Sequence, residues 1–175
     1  CAEIVKSVFA AAAYDGPIYL RLTGSVNNPT VYKNDYDFEI GKAVTLCDGS
    51  DITIFANGSM VHESLQAAKA LKEDGLSTAV VNMHTIKPLD VGLIAKLVDS
   101  CGCFVSAEDH ARIGGLGSAI SEWLSTHYPS PMEMVGVKDR FGESGSTSDL
   151  MSELGLTAEE ICSAARKVID RKNMT

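Results

Sequence analysis

The stretch 104–123, FVSAEDHARIGGLGSAISEW, decides the fold. It starts apolar at Phe104 and Val105, runs into Glu108, Asp109 and His110, and then turns through Gly114, Gly115 and Gly117. After the turn, Leu116, Ala119, Ile120, Trp123 and Leu124 recur on one helical face. A strand, a polar tip, a glycine turn and an amphipathic helix make one βα unit of a parallel sheet. Such sheets meet ligands and partners at the carboxyl ends of their strands. The tip formed by Glu108, Asp109, His110, Gly114, Gly115 and Gly117 is therefore the candidate functional or interface edge.

The pattern continues on both sides. Downstream, 132–137 (MEMVGV) reads as a strand and KDRFGESGSTSDL as an aperiodic connection. Thr157 with Glu160 three residues on is a capping box, opening a final helix that runs to about Arg171. Upstream, 52–56 (ITIFA) is a strand, and Gly58-Ser59 opens a helix to about Asp74, with Ser59 as its N-cap. A strand at 78–83, the segment HTIKPLD at 84–90 and a helix at 91–97 follow. The short strand 44–47 joins 52–56 through a tight Asp48-Gly49 turn, which predicts an antiparallel pair. Residues 44–175 thus read as a three-layer α/β/α domain. Its five-stranded sheet is mostly parallel, with one antiparallel edge strand.

The first 43 residues follow another pattern. Residues 2–13 are helical by their apolar spacing, Asp15-Gly16-Pro17 stops that helix, and 18–22 (IYLRL) reads as a strand. Residues 24–43, with three asparagines and no sustained period, read as a linker. A lone helix and strand cannot bury their own faces. Residues 1–23 are accordingly expected to end a separate domain, and the chain to be one piece of a larger protein.

Composition narrows the function classes. With 175 residues, 45% of them hydrophobic and 22% charged, the chain is globular. A net charge of −8 without a basic cluster argues against nucleic acid. No apolar run approaches the roughly 18 residues of a membrane span. Five irregularly spaced cysteines argue for a reducing, cytoplasmic setting rather than a disulfide framework. Cys101-x-Cys103 lacks the second ligand pair of a metal site.

The other chemical motifs are incomplete. The glycine turn before a helix invites a phosphate. Ile120 stands where the dinucleotide fingerprint needs a small residue, however, so tight packing is the preferred reading. His62-Glu63 lacks the second histidine of a zinc motif, since Gln66 stands in its place. Glu108, Asp109 and His110 could work as acids and bases, but they suit a polar interface network better. His84 reads as a turn residue, and Trp123 as a core or interface side chain.

Several stretches together resemble transketolase. They are GPIYLRLTG (16–24), DGSDITIFANGSMV (48–61), HTIKPLD (84–90), EDHARIGGLGSA (108–119) and KDRFGESG (138–145). The resemblance covers the end of the middle domain and the whole C-terminal domain. It is similar to the second chain of transketolases split over two genes. It implies an N-terminal transketolase chain as partner and homodimerisation through the C-terminal domain. It also implies thiamine diphosphate and a divalent metal in the parent enzyme, which transfers a two-carbon ketol unit between sugar phosphates. The cofactor of the family sits between other domains, so no cofactor or catalytic residue is expected on this piece, which should be inert alone and should self-associate through exposed apolar surface.

One position departs from the resemblance. Many transketolases carry a phosphate-gripping arginine where this chain has Gly24, which leaves Arg21 as the substrate-binding candidate. The alternatives are the equivalent piece of a deoxyxylulose-phosphate synthase or a 2-oxoacid dehydrogenase component, or a stand-alone nucleotide- or anion-binding module.

Overall fold

A computed structural model describes residues 2–22, 29–32 and 34–174. Its elements run α1 (Ala2–Ala13), β1 (Val44–Cys47), β2 (Ile52–Ala56), α2 (Met60–Glu73), β3 (Thr78–Asn82) and α3 (Val91–Ser100). β4 (Phe104–Ala111), α4 (Leu116–His127), β5 (Met132–Val137), α5 (Thr147–Glu153) and α6 (Ala158–Asn173) complete the chain. The strand order is β1-β3-β2-β4-β5, with every pair parallel except β1 with β3.

Strand alternation builds two cores. Ile52, Ile54 and Ala56 of β2 and Val105 and Ala107 of β4 meet Met60, Val61 and Leu71 of α2 and Ile161, Ala165 and Val168 of α6. The intervening Phe55 and Phe104 face the other way, against Ile94 of α3 and Leu116, Ile120 and Leu124 of α4. Both strands are apolar on both faces because helices cover both, which is what a parallel sheet requires. The expected three-layer α/β/α domain with a five-stranded, mostly parallel sheet is present.

Three expectations need correction. Residues 18–22 form no strand: they are exposed and pair with no ladder, and β content alone cannot replace a neighbouring strand. β1 is antiparallel as expected, but it pairs with β3 rather than β2. Residues 29–32 and 34–42 cross the surface in contact with the sheet: the Tyr32 hydroxyl accepts a hydrogen bond from Asn82 of β3 and Phe38 stacks on His84. Finally, α5 lies inside the expected aperiodic connection. It buries no residue, so no apolar period could announce it; Ser146 caps it by accepting from the Asp149 amide.

Carboxylates and hydroxyls fasten the helix ends. Thr157 accepts from the Glu160 amide at 3.3 Å, as the capping box predicts. Glu63 of α2 accepts from Ala158 at the start of α6 at 3.0 Å, a role for that residue far from zinc. Asp90, the last residue of HTIKPLD, accepts from Leu93 in α3 and from Ala43 just before β1.

The C-terminal layer carries one pH-sensitive pair of bridges. Glu133 of β5 meets Lys167 at 2.8 Å and Arg171 at 2.5 Å, both on α6. Burial pushes its carboxyl up, but the bonds from Lys167 and Arg171 outweigh that and hold it below its usual 4.5. A depressed carboxylate stabilises above its unfolded pKa and loses that contribution as pH falls through the folded value. Glu133→Gln should therefore cost about 1 kcal/mol at pH 7. The difference from the parent chain should disappear as urea titrations are taken below pH 4.5.

Candidate functional site at the carboxyl edge of the sheet

The polar tip of β4 is a local break in the sheet. The β4–β5 ladder shifts register between Ala107 and Ala111, so Glu108, Asp109 and His110 lie in a bulged stretch inside the strand. A bulge re-aims side chains, and these three go to three destinations.

Glu108 points into the protein, where it is only 1% exposed. Its carboxylate accepts from the amides of Leu116 at 2.7 Å and Gly117 at 2.9 Å, the first residues of α4. Those are orphan donors of a helix start, and a negative charge there also meets the positive end of the helix dipole. Burial above all pushes the Glu108 carboxyl above its usual value, and the two amide bonds oppose that push. The glycines are explained by the same packing. A Cβ on Gly115 would lie 2.0 Å from Glu108 Oε2, and one on Gly117 would lie 2.5 Å from Ser106 Oγ. Gly114, with φ +78, makes the turn itself and faces open space.

This arrangement removes the anion-binding reading of the glycine turn. The amides that a phosphate would need are occupied by the chain's own carboxylate. Glu108 is the signal that composition could not weigh: an acid shortly before a glycine-led helix start, ready to fill it.

Asp109 leaves the opposite side of β4. It accepts from Ser59 Oγ at 2.9 Å and from Arg21 Nη1 at 3.1 Å. Ser59 occupies the N-cap position of α2 but has helical backbone angles (φ −63, ψ −28) and its side chain makes no capping bond; its hydroxyl donates to Asp109. The expected Ser59 cap is thus replaced by a cross-link between α2 and β4. Arg21 is about half exposed, so this ion pair leaves part of its guanidinium facing solvent. His110 is exposed, with Nδ1 3.3 Å from the Ala111 carbonyl oxygen, and does not join the two carboxylates in one acid–base set. Gly24 lies outside the described residues.

A diphosphate-bearing cofactor finds no matching cradle in these residues, since Glu108 holds the α4 amides. No group of three or more His, Cys, Asp and Glu residues able to hold a metal occurs among the described residues. Cys101 and Cys103 spend their thiols internally: Cys101 meets Thr53 Oγ1 at 3.1 Å and Cys103 donates to the Asp51 carbonyl at 3.2 Å. Burial first of all pushes the Cys103 thiol up to about 11, which keeps it protonated.

An α/β/α domain with one antiparallel edge strand and an acid-plugged GGLG helix start thus defines the chain's class. The chain belongs to the transketolase C-terminal domain family, whose match spans residues 41–161. It is 45% identical to the 6-deoxy-6-sulfo-D-fructose transketolase subunit SqwH of a Clostridium species, over 92% of this chain and 50% of that protein. It is 38% identical to an apulose-4-phosphate transketolase subunit of Phocaeicola vulgatus, over 95% of this chain and 53% of that protein. A solved split gene transketolase, described as an inactive beta4 tetramer, superposes with a TM-score of 0.92 at 41% identity, covering 97% of this chain and 55% of that one. The chain spans about half the length of these relatives. A 1-deoxy-D-xylulose-5-phosphate synthase of Halothermothrix orenii is 32% identical over 97% of this chain, but only 27% of that enzyme is covered.

Proposed function

We propose that this chain supplies the C-terminal domain of a two-chain, transketolase-type transferase, with residues 1–23 ending its middle domain. In this reading an N-terminal transketolase chain is the partner, and thiamine diphosphate with a divalent metal is held by other parts of the assembly. The cofactor would supply the carbanion chemistry of two-carbon ketol transfer. This domain's own residues would hold the enzyme together and set its edge. The observation that carries the reading is the filled start of α4, which gives the carboxyl edge a structural role where a binding domain would keep free amides. The similar proteins described as transketolase subunits, and as a split gene transketolase, support the two-chain form.

The domain also pairs with a second copy of itself in this reading. Exposed apolar side chains support that: Phe9 on α1 is 73% exposed, Ile113 after β4 72% and Phe141 after β5 97%. Burial of such side chains on association is favourable. The assembly is cytoplasmic, where the thiols of Cys47, Cys101, Cys103 and Cys162 stay reduced.

Arg21 is the substrate contact of this reading. Part of its guanidinium is exposed, and two of the relatives are named for sugars carrying a sulfonate-type or phosphate group. The test is ketol transfer by the chain, extended upstream to a full middle domain, mixed with its N-terminal partner, thiamine diphosphate and a divalent metal. The mixture should be active and either chain alone silent. In the active mixture, Arg21→Ala should raise KM for an anionic sugar about tenfold and leave kcat nearly unchanged. Assembly without ketol transfer would sink the proposed activity, and an unchanged KM would sink the role of Arg21.

A further inference from the structure

The chain reverses its direction across the sheet between β2 and β4. The helix after β2, α2, covers one face and leads to β3 on one side. The helix after β4, α4, covers the other face and leads to β5 on the other side. In open α/β sheets the crevice at such a switch point, outside the carboxyl ends of the two strands, is where ligands bind. Here it is lined by the Gly58-Ser59 turn after β2 and by Asp109 in the bulge of β4, and Arg21 meets Asp109 there from outside the domain.

Each oxygen of Asp109 has a fixed partner. Oδ2 accepts from Ser59 Oγ at 2.9 Å, and Oδ1 accepts from Arg21 Nη1 at 3.1 Å. The turn closes on the carboxylate from a third side: Gly58 has φ +55, and a Cβ there would lie 3.3 Å from Oδ1. The Asp109 side chain is 19% exposed and that of Arg21 51%. The bond through Nη1 leaves the rest of the guanidinium fork for a second partner. An ion pair with a half-exposed arginine adds little stability. A carboxylate braced in this way does more for direction than for folding.

We propose that Asp109, braced by Ser59, is the positioning residue for Arg21: it turns the guanidinium so that its free edge meets the anionic group of the substrate at the switch-point crevice. The inference rests on the reading of Arg21 as the substrate contact. An arginine fork recognises an oxyanion through parallel N–H bonds, so the plane of the fork has to be set. Fixing one edge on Asp109 removes the rotamer freedom of a long, half-exposed side chain before the substrate arrives, which is preorganisation. The anchor belongs to the C-terminal domain and the arginine to residues 1–23, so substrate binding depends on how these two parts are seated together.

The test uses the assembled two-chain enzyme with thiamine diphosphate and a divalent metal, an aldose phosphate as acceptor and the unphosphorylated aldose for comparison. Asp109→Asn should raise KM for the aldose phosphate about fivefold and change kcat far less, because the arginine is present but no longer aimed. Ser59→Ala, which loosens the carboxylate, should raise that KM about twofold. Neither variant should alter KM for the unphosphorylated aldose, which a general loss of structure would shift as well. In an Arg21→Ala background Asp109→Asn should add nothing, since both changes remove one interaction. If Arg21→Ala raises KM for the aldose phosphate while Asp109→Asn leaves it alone or lowers it, Asp109 does not aim the arginine and only this proposal fails. If Arg21→Ala itself leaves that KM unchanged, the substrate contact fails and the positioning role with it. Equal rises for both acceptors, or additive effects in the double variant, would likewise overturn the proposal.

Discussion

Replacing Glu108 with alanine should lower the unfolding free energy by about 3 kcal/mol, and equilibrium denaturation should show it as a large drop in midpoint. The substitution leaves the amides of Leu116 and Gly117 buried and unpaired at the start of α4. Each such group costs about 1–3 kcal/mol, and the relief of a buried carboxylate offsets part of the sum. Gly115→Ala should act on the same joint from the other side. Its Cβ would overlap Glu108 Oε2 and approach the Ala111 carbonyl to 2.7 Å, so either the carboxylate leaves its amides or the turn opens. Overpacking of this kind costs about 1–3 kcal/mol. Because the two residues share one contact, the double variant should lose less than the two single losses added together.

The protonation of Glu108 gives an independent check with a definite sign. Its carboxyl is raised above the usual 4.5, first by desolvation. A raised carboxylate contributes most stability below its unfolded pKa and loses it as pH rises through the folded value. The gap between the parent chain and Glu108→Ala should widen as pH falls from 7 towards 4.5. A gap that narrows over that range would mean that amide bonding, rather than burial, dominates at this carboxyl. The Glu133 bridges run in the opposite direction and over a lower range, because a depressed carboxyl loses its contribution only below its usual 4.5, so the two variants should diverge on acidification.

What could be read from sequence follows from how far apart the interacting residues lie. The continuous apolar runs of β2 and β4 and the Thr157 capping box are local signals, visible within a few residues. The polar tip was also legible as a place: Glu108, Asp109, His110 and the glycines do share one edge. Its inner workings were not legible, because they depend on a register break between β4 and β5 that sends adjacent side chains to different elements. Arg21 meeting Asp109 joins residues 88 positions apart, and Tyr32 meeting Asn82 joins residues 50 apart. No period or spacing rule reaches that far. The strand expected at 18–22 failed for a related reason, since a strand is defined by its neighbour and not by its own residues.

Gly49→Ala should cost about 3 kcal/mol or more, an effect that separates the observed pairing of β1 from the one its short turn suggests. Asp48-Gly49 between two apolar runs looks like a two-strand hairpin, in which glycine serves by adopting positive φ. Gly49 is not among the positive-φ glycines of this chain, so the turn does not use that freedom. Instead the segment after β1 presses against the start of β3. A Cβ on Gly49 would lie 2.2 Å from the Thr78 carbonyl carbon and 2.3 Å from the Ala79 nitrogen. Those are backbone atoms of a central strand and cannot step aside. The contact is locked by three bonds: Asp51 N to Ser77 O at 2.9 Å, Ser77 N to Asp51 Oδ2 at 2.7 Å, and Ser50 N to Ser77 Oγ at 3.2 Å. An added methyl must lift the segment and strain all three, together with the β1–β3 ladder through Thr45 and Val81. The neighbouring Ser50→Ala, at an exposed side chain, should change stability by no more than about 0.5 kcal/mol. Hydrogen exchange should then show the β1 amides of Gly49→Ala losing protection before those of β2 and β4. If alanine at position 49 were as harmless as at position 50, the close crossing of β3 would be wrong, and a β1–β2 hairpin would be the better account of this edge.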